Sequence, residues 1–114
     1  MLIVIAHDLS QMSLLRLAGR IVQGEGSVVL LDAVLTRQHK QSIVLDLAEV
    51  DTADAYGLGL LAFLHHWARD NGIEFKIANA KAHVRNVLAL TKLDSVLQLC
   101  SFDDLEIREL TSPR

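Results

Sequence analysis

A few side chains in this sequence could do chemistry. His65 and His66 are adjacent, Asp51 and Asp54 lie close together, and Cys100 is the single cysteine. The His pair invites a metal or acid–base reading. Neighbours on a helix point about 100° apart, however, and a helical ligand pair needs i, i+4 spacing. The pair therefore reads as a solvated helix face. Asp51 and Asp54 have no further carboxylate near enough in sequence to complete a divalent-cation site. Cys100 lies in an apolar stretch with Leu97 and Leu99 and lacks an activating neighbour, so it reads as an inert thiol. No serine elbow, lysine motif or phosphate loop is present, and Gly57-Leu58-Gly59 lacks the third glycine of a dinucleotide fingerprint. No catalytic residue, cofactor or metal is expected, and an enzyme is not the reading. What remains is Asp54-Ala55-Tyr56-Gly57-Leu58-Gly59, a short loop opening a helix. There a second molecule can meet unpaired backbone N–H groups.

The elements around that loop follow from hydrophobic period. Ser42 to Leu47, with Ile43 to Ala48 nearly all apolar, is a strand covered on both faces. Gly57 to Asn71 is a helix with Leu60, Leu61, Leu64, Trp67 and Ala68 in one stripe and Phe63 at its margin. His65, His66, Arg69 and Asp70 form its polar side, and Leu58 projects with His65 and Arg69. Asp54 has the place of an N-cap, and Gly72 follows the helix at the usual stop position. Upstream, Met1–Ala6 and Ser13–Arg20 read as a hairpin of strands. Gly24-Glu25-Gly26 breaks the chain before Ser27, the expected cap of a helix over Val28–Lys40. Val28, Leu31, Leu35 and Gln38 share its core face, with Val34 beside them. Val29, Leu30 and Ala33 are left as surplus apolar surface, suited to a covering loop, self-association or a partner. Downstream come a strand over Glu74–Asn79 and a helix over Ala82–Thr91 with Val84, Val87, Leu88 and Thr91 inward. A strand over Val96–Cys100 and a last helix over Asp103–Leu110, capped by Ser101, complete the chain. The order implies an α/β fold: a mixed, mainly parallel sheet of 4–5 strands with an antiparallel edge hairpin and about four helices.

Composition narrows the classes. The chain has 114 residues, enough for one domain over 1–114 with its own core. Hydrophobic residues make up 51% and mean hydropathy is +0.31, so either the core is dense or apolar surface is kept for a partner. Net charge is −3 with both signs mixed along the chain, which argues against nucleic acid. No apolar run is long enough to insert in a membrane. The first residues lack the basic region of a signal peptide, and a single cysteine, which leaves no disulfide framework, suits a reducing cytoplasm.

The run from Ile43 through Leu45-Asp46-Leu47 to Asp54-Ala55-Tyr56-Gly57-Leu58-Gly59-Leu60-Leu61 resembles the signature of the STAS domain, the family that includes the bacterial anti-sigma factor antagonists. Leu15-Arg16-Leu17-Ala18-Gly19-Arg20 is similar to the family's second strand, Asn71-Gly72 to its helix-to-strand step, and Leu90-Thr91-Lys92-Leu93 to a later segment. The resemblance covers about the whole chain and implies a STAS-like fold. In phosphorylated members a Ser or Thr follows the motif Asp, and a partner kinase, itself the anti-sigma factor, phosphorylates it. Here that residue is Ala55, and the next is Tyr56. A phosphate would add about −1.5 to −2 charge beside Asp54 and repel the partner; Ala55 holds the loop in its unphosphorylated form. Thr52 is a secondary candidate acceptor, and Tyr56 carries its oxygen too far from the backbone to replace a serine.

The resemblance implies a protein-binding regulator of sigma-dependent transcription whose partner is an anti-sigma factor with a kinase-like fold. Asp54, Ala55, Tyr56, Gly57 and Leu58, with His65 and Arg69 on the exposed helix face, are the expected contacts. Other members suggest alternatives: an accessory subunit of a membrane (lipid-type) transport complex, a small-ligand-binding module, or a scaffold in a sensory assembly.

Overall fold

The computed structural model describes residues 1–101. The expected last helix over 103–110 lies outside the described residues. The elements run β1 (Leu2–Asp8), β2 (Met12–Ile21), α1 (Glu25–Leu35), β3 (Ser42–Ala53), α2 (Ala55–Asp70), β4 (Glu74–Ala78), α3 (Ala82–Leu90), a 3-10 turn (Leu93–Ser95) and β5 (Gln98–Cys100). The strands form one sheet in sequence order, β1-β2-β3-β4-β5. β1 and β2 are antiparallel, and the remaining pairs are parallel. This is the mixed sheet with an edge hairpin that the sequence predicts, with three α-helices among the described residues.

All three helices share one core with the sheet. Leu15 and Leu17 of β2, Ile43, Leu45 and Leu47 of β3, and Phe75 and Ile77 of β4 alternate along their strands and point the same way. They meet Leu30 and Val34 of α1, Leu61, Leu64 and Ala68 of α2, and Val84 and Leu88 of α3. The opposite face carries a smaller cluster of Leu14, Val44 and Ala78, with Met12 and Cys100 packed against it. From Ile43 to Leu47 every residue of β3 is buried, as its unbroken apolar run implies.

Several boundaries differ from expectation. β3 runs on to Ala53, because the ten-residue β2 ladders with it past Ala48 through two register shifts. β5 spans only Gln98–Cys100. α1 starts at Glu25 rather than Val28 and ends at Leu35. Ser27 is not its cap: it lies inside the first turn, 4% exposed, and its Oγ donates to the Gly24 carbonyl at 2.6 Å. Gly26 belongs to this helix and lets it press on β1, since an added Cβ would lie 2.7 Å from the Leu2 Cβ. The core face of α1 is also rotated from the expected one. Leu30 and Val34 are fully buried, whereas Val28 is 65% exposed. Positions 28–31 are all apolar, so period alone does not choose a face there; contact with the sheet does. In α3, Val84 and Leu88 are buried and Val87 packs partly on the core, but Thr91 is exposed and donates its hydroxyl to the Val87 carbonyl at 2.9 Å.

Candidate functional site

The loop between β3 and α2 is held from both sides. Asp54 is the N-cap of α2 with extended backbone, and its Oδ1 accepts from the Gly57 N–H at 2.7 Å. That bond satisfies one of the helix's free donors. Its Oδ2 accepts from the Gln23 N–H at 3.3 Å, and its own N–H donates to the Ile21 carbonyl at 3.2 Å. Asp54 therefore ties the β3–α2 loop to the β2–α1 loop. Gly57 makes this closeness feasible: a Cβ there would lie 1.9 Å from the Ile21 carbonyl oxygen. Gly59, which looks equivalent in the sequence, has nothing among the described residues within 4 Å of where a Cβ would lie, so the loop does not require it.

The result is a small fixed platform at the positive end of a 16-residue helix. Asp54, Ala55 and Tyr56 are exposed on it, Tyr56 at 49%. Ala55 is the first helical residue, where a hydroxyl or a negative charge would face solvent. Leu58, expected on the polar side with His65 and Arg69, is instead 6% exposed and belongs to the core. The buried arc of α2 is wider at its N-terminal end, where Gly57, Leu58, Leu60 and Leu61 are all covered. Leu58 and Gly57 thus support the platform from below.

His65 and Arg69 are not at the platform. At about 1.5 Å rise per residue they lie roughly 15 to 20 Å along α2 from Ala55. There they border a groove of about 550 Å³ closed by Ile73, Glu74, Phe75, Val96 and Gln98. His65 is half-buried, and its Nδ1 is enclosed without a hydrogen-bond partner among the described residues. Burial first, then the charges of His66 and Arg69, lowers its pKa. The His65 and His66 rings meet edge to face, with centroids 5.5 Å apart.

The remaining chemical candidates have structural partners. Asp51 pairs with Lys81 at 2.9 Å, linking the end of β3 to the start of α3. The Thr52 hydroxyl is 3.5 Å from the His83 Nε2. Cys100 is half-buried, with its Sγ 3.7 Å from the Ile77 carbonyl. Among the described residues no group of three or more His, Cys, Asp or Glu side chains could hold a metal ion, and no helix is long and apolar enough to cross a membrane. Sequence reasoning missed Gln23 and Ile21. Their contribution is made by backbone atoms across a long separation, which leaves no mark on residue type. It also missed the largely buried Asp46, whose carboxylate accepts from the Ala48 N–H at 3.0 Å and faces Arg16 at 3.6 Å.

Comparison with known proteins agrees with this geometry. The family model described as STAS domain matches residues 10–106. The putative anti-sigma factor antagonist of Thermotoga maritima superposes with a TM-score of 0.80 at 18% identity, covering 93% of this chain and 92% of that one. The anti-sigma factor antagonist SpoIIAA, in its unphosphorylated form, superposes with a TM-score of 0.75 at 13% identity, covering 98% and 100%. Mglu matches at 26% identity with a TM-score of 0.63 over 70% of this chain, which spans only 20% of Mglu. The chain belongs to the STAS domain family.

Proposed function

We propose that this STAS domain is a non-enzymatic, protein-binding regulator of the anti-sigma factor antagonist type. Its partner is an anti-sigma factor with a kinase-like fold, and binding releases a sigma factor for transcription. The observation that carries this reading is the exposed Asp54-Ala55-Tyr56 platform, fixed by Gly57 and Gln23 at the N-terminus of α2. A rigid, half-apolar patch with one carboxylate suits a protein contact, with Tyr56 as its aromatic anchor. The methyl of Ala55 stands where phosphorylated relatives carry a hydroxyl, so the covalent switch is absent from that position. Control then passes to the amount of protein or to competition for the partner. His65 and Arg69 extend the contact only for a partner large enough to reach along α2.

Affinity capture from native lysate, with and without ATP, followed by mass spectrometry tests the partner class. Titration calorimetry against the captured protein then tests the loop. Ala55→Glu is expected to weaken binding at least about tenfold, by placing a second carboxylate beside Asp54 in a desolvated contact. Wild type should carry no phosphate at position 55, and Ala55→Ser should acquire one in the presence of ATP. Equal binding by Ala55→Glu and wild type would remove the loop from the interface.

A second reading rests on a different observation. The groove beside His65, whose enclosed Nδ1 has no hydrogen-bond partner among the described residues, favours a small-ligand module. The exposed Val28 and Phe63 would equally serve docking on a transport ATPase. Capture of permease and ATPase subunits in place of an anti-sigma factor would select the accessory-subunit role.

A further inference from the structure

The free edge of the sheet is open at β1. Among the described residues β1 is the end strand and pairs only with β2. The Arg20 N–H donates to the Met1 carbonyl, and the Leu9 N–H to the Met12 carbonyl. In an antiparallel ladder the direction of the backbone groups alternates. Ile3, Ile5 and His7 therefore bond to β2, while Leu2, Val4, Ala6 and Asp8 present their N–H and C=O groups outward. Edges of this kind are normally guarded by lysine, proline, a bulge or a charge. β1 reads Leu-Ile-Val-Ile-Ala-His-Asp and has no lysine, arginine, glutamate or proline. Its one carboxylate, Asp8, is already engaged by Arg37 at 2.8 Å.

From this we infer that β1 is a self-association surface, on which a second copy of this chain pairs antiparallel about a two-fold axis through Ile5. The strand is self-complementary in that register. Val4 faces Ala6 of the second copy and Leu2 faces its Asp8, so outward groups meet outward groups and each pair exchanges two hydrogen bonds. Ile5 meets its own copy in a non-hydrogen-bonded pair, where side chains are closest. Ile3 and Ile5 are 50% and 54% exposed; Ile5 gains its own copy, and Ile3 lies opposite His7 of the second copy with Ile5 on its diagonal. On the helix face, α1 lies over this same edge: Gly26 presses on Leu2, and Arg37 reaches Asp8. Val29 lies on that flank, 47% exposed and beside Met1 and Leu2.

Pairing between two β1 edges is favoured over head-to-tail joining of β1 to β5. β5 offers only three residues, and an isologous pair closes where a head-to-tail contact can propagate. The half-exposed side chains of Ile3, Ile5 and Val29 with the backbone edge make a contact smaller than the about 800 Å² per partner of a standard interface. The dimer is therefore weak and dependent on concentration.

Sedimentation of the full chain over a concentration series tests this. Wild type should move from monomer to dimer as concentration rises. Ile5→Lys, at an exposed position, should weaken the dimer by about a hundredfold or more, because two ammonium groups meet on the axis. Ala6→Pro removes an outward N–H without touching the β2 ladder and should weaken it about tenfold. In wild type, the Val4 and Ala6 amides should exchange hydrogen slowly at high concentration and fast on dilution, a readout that stands even if either variant fails to fold. Three results would overturn the inference: a monomer at every concentration up to the solubility limit, a dimer unmoved by both folded variants, or Val4 and Ala6 amides whose exchange ignores concentration.

Discussion

Gly57 sits where α2 passes Ile21 so closely that a methyl would collide with the Ile21 carbonyl oxygen at 1.9 Å. Backbone atoms give way less easily than side chains, so Gly57→Ala should cost about 1–3 kcal/mol, as other overpacked sites do. Gly59 lies two residues on, with open space around it. Gly59→Ala should stabilise the protein by about 0.5–1 kcal/mol, the ordinary gain from replacing glycine within a helix. Urea denaturation of the two variants would read opposite signs. Ala55 is different again. It is exposed at the positive end of α2, where an acidic residue is favourable by about 0.3–1 kcal/mol. The binding loss expected for Ala55→Glu is therefore separable from stability: the variant should denature at or slightly above the wild-type midpoint.

At the scale of elements, the hairpin and α1 are joined by one clamp. Arg37, just beyond the end of α1, donates from Nε and Nη2 to both carboxylate oxygens of Asp8, at 2.8 and 3.0 Å. Ser13, fully buried at the start of β2, donates its hydroxyl to the same carboxylate. The hydrogen bond from Arg37, then that from Ser13, holds the Asp8 carboxyl well below the usual range. A depressed folded-state pKa means that the stabilisation is complete above the ordinary Asp value of 3.8 and is lost as pH falls below it. The Asp8 side chain is 46% exposed, so solvent screening limits the effect to about 1 kcal/mol or less. Asp8→Asn should lose that amount near neutrality and converge on wild type in strong acid, as measured by denaturant midpoints across pH. Arg37 lies 29 residues from Asp8 in sequence, and nothing in either local pattern announced their pairing.

For the molecule as a whole, stability is concentrated where all the layers meet. Leu45, in the middle strand, is fully buried in the core that all three helices share with the sheet. Leu45→Ala should cost about 2–5 kcal/mol, against a total near 5–15 kcal/mol for a domain of this kind. A fall in urea midpoint of that size, with near-native spectra in water, is the expected result. The same architecture anchors the platform, because Asp54 ties the β3–α2 loop to the β2–α1 loop beside it.

Much of this was legible in the residues. The alternation in β2, the solid apolar run of β3 and the stripe on α2 set the order of elements and the parallel connections. Asp54 before Ala55 announced the cap. These are local properties of residue type and spacing, which the chain carries wherever it folds. Tertiary contact decided the rest. The face of α1 was ambiguous because Val28, Val29, Leu30 and Leu31 are all apolar, and only the sheet beneath it chose Leu30 and Val34. Leu58 looked outward by helical phase but is covered, because the first turns of α2 are packed over a wider arc than one stripe. Gly57 and Gly59 were equal until the Ile21 carbonyl stood beside one of them. The support that Gln23 and Ile21 give the β3–α2 loop comes from backbone groups, which every non-proline residue carries; only the fold determined which of them would meet Asp54.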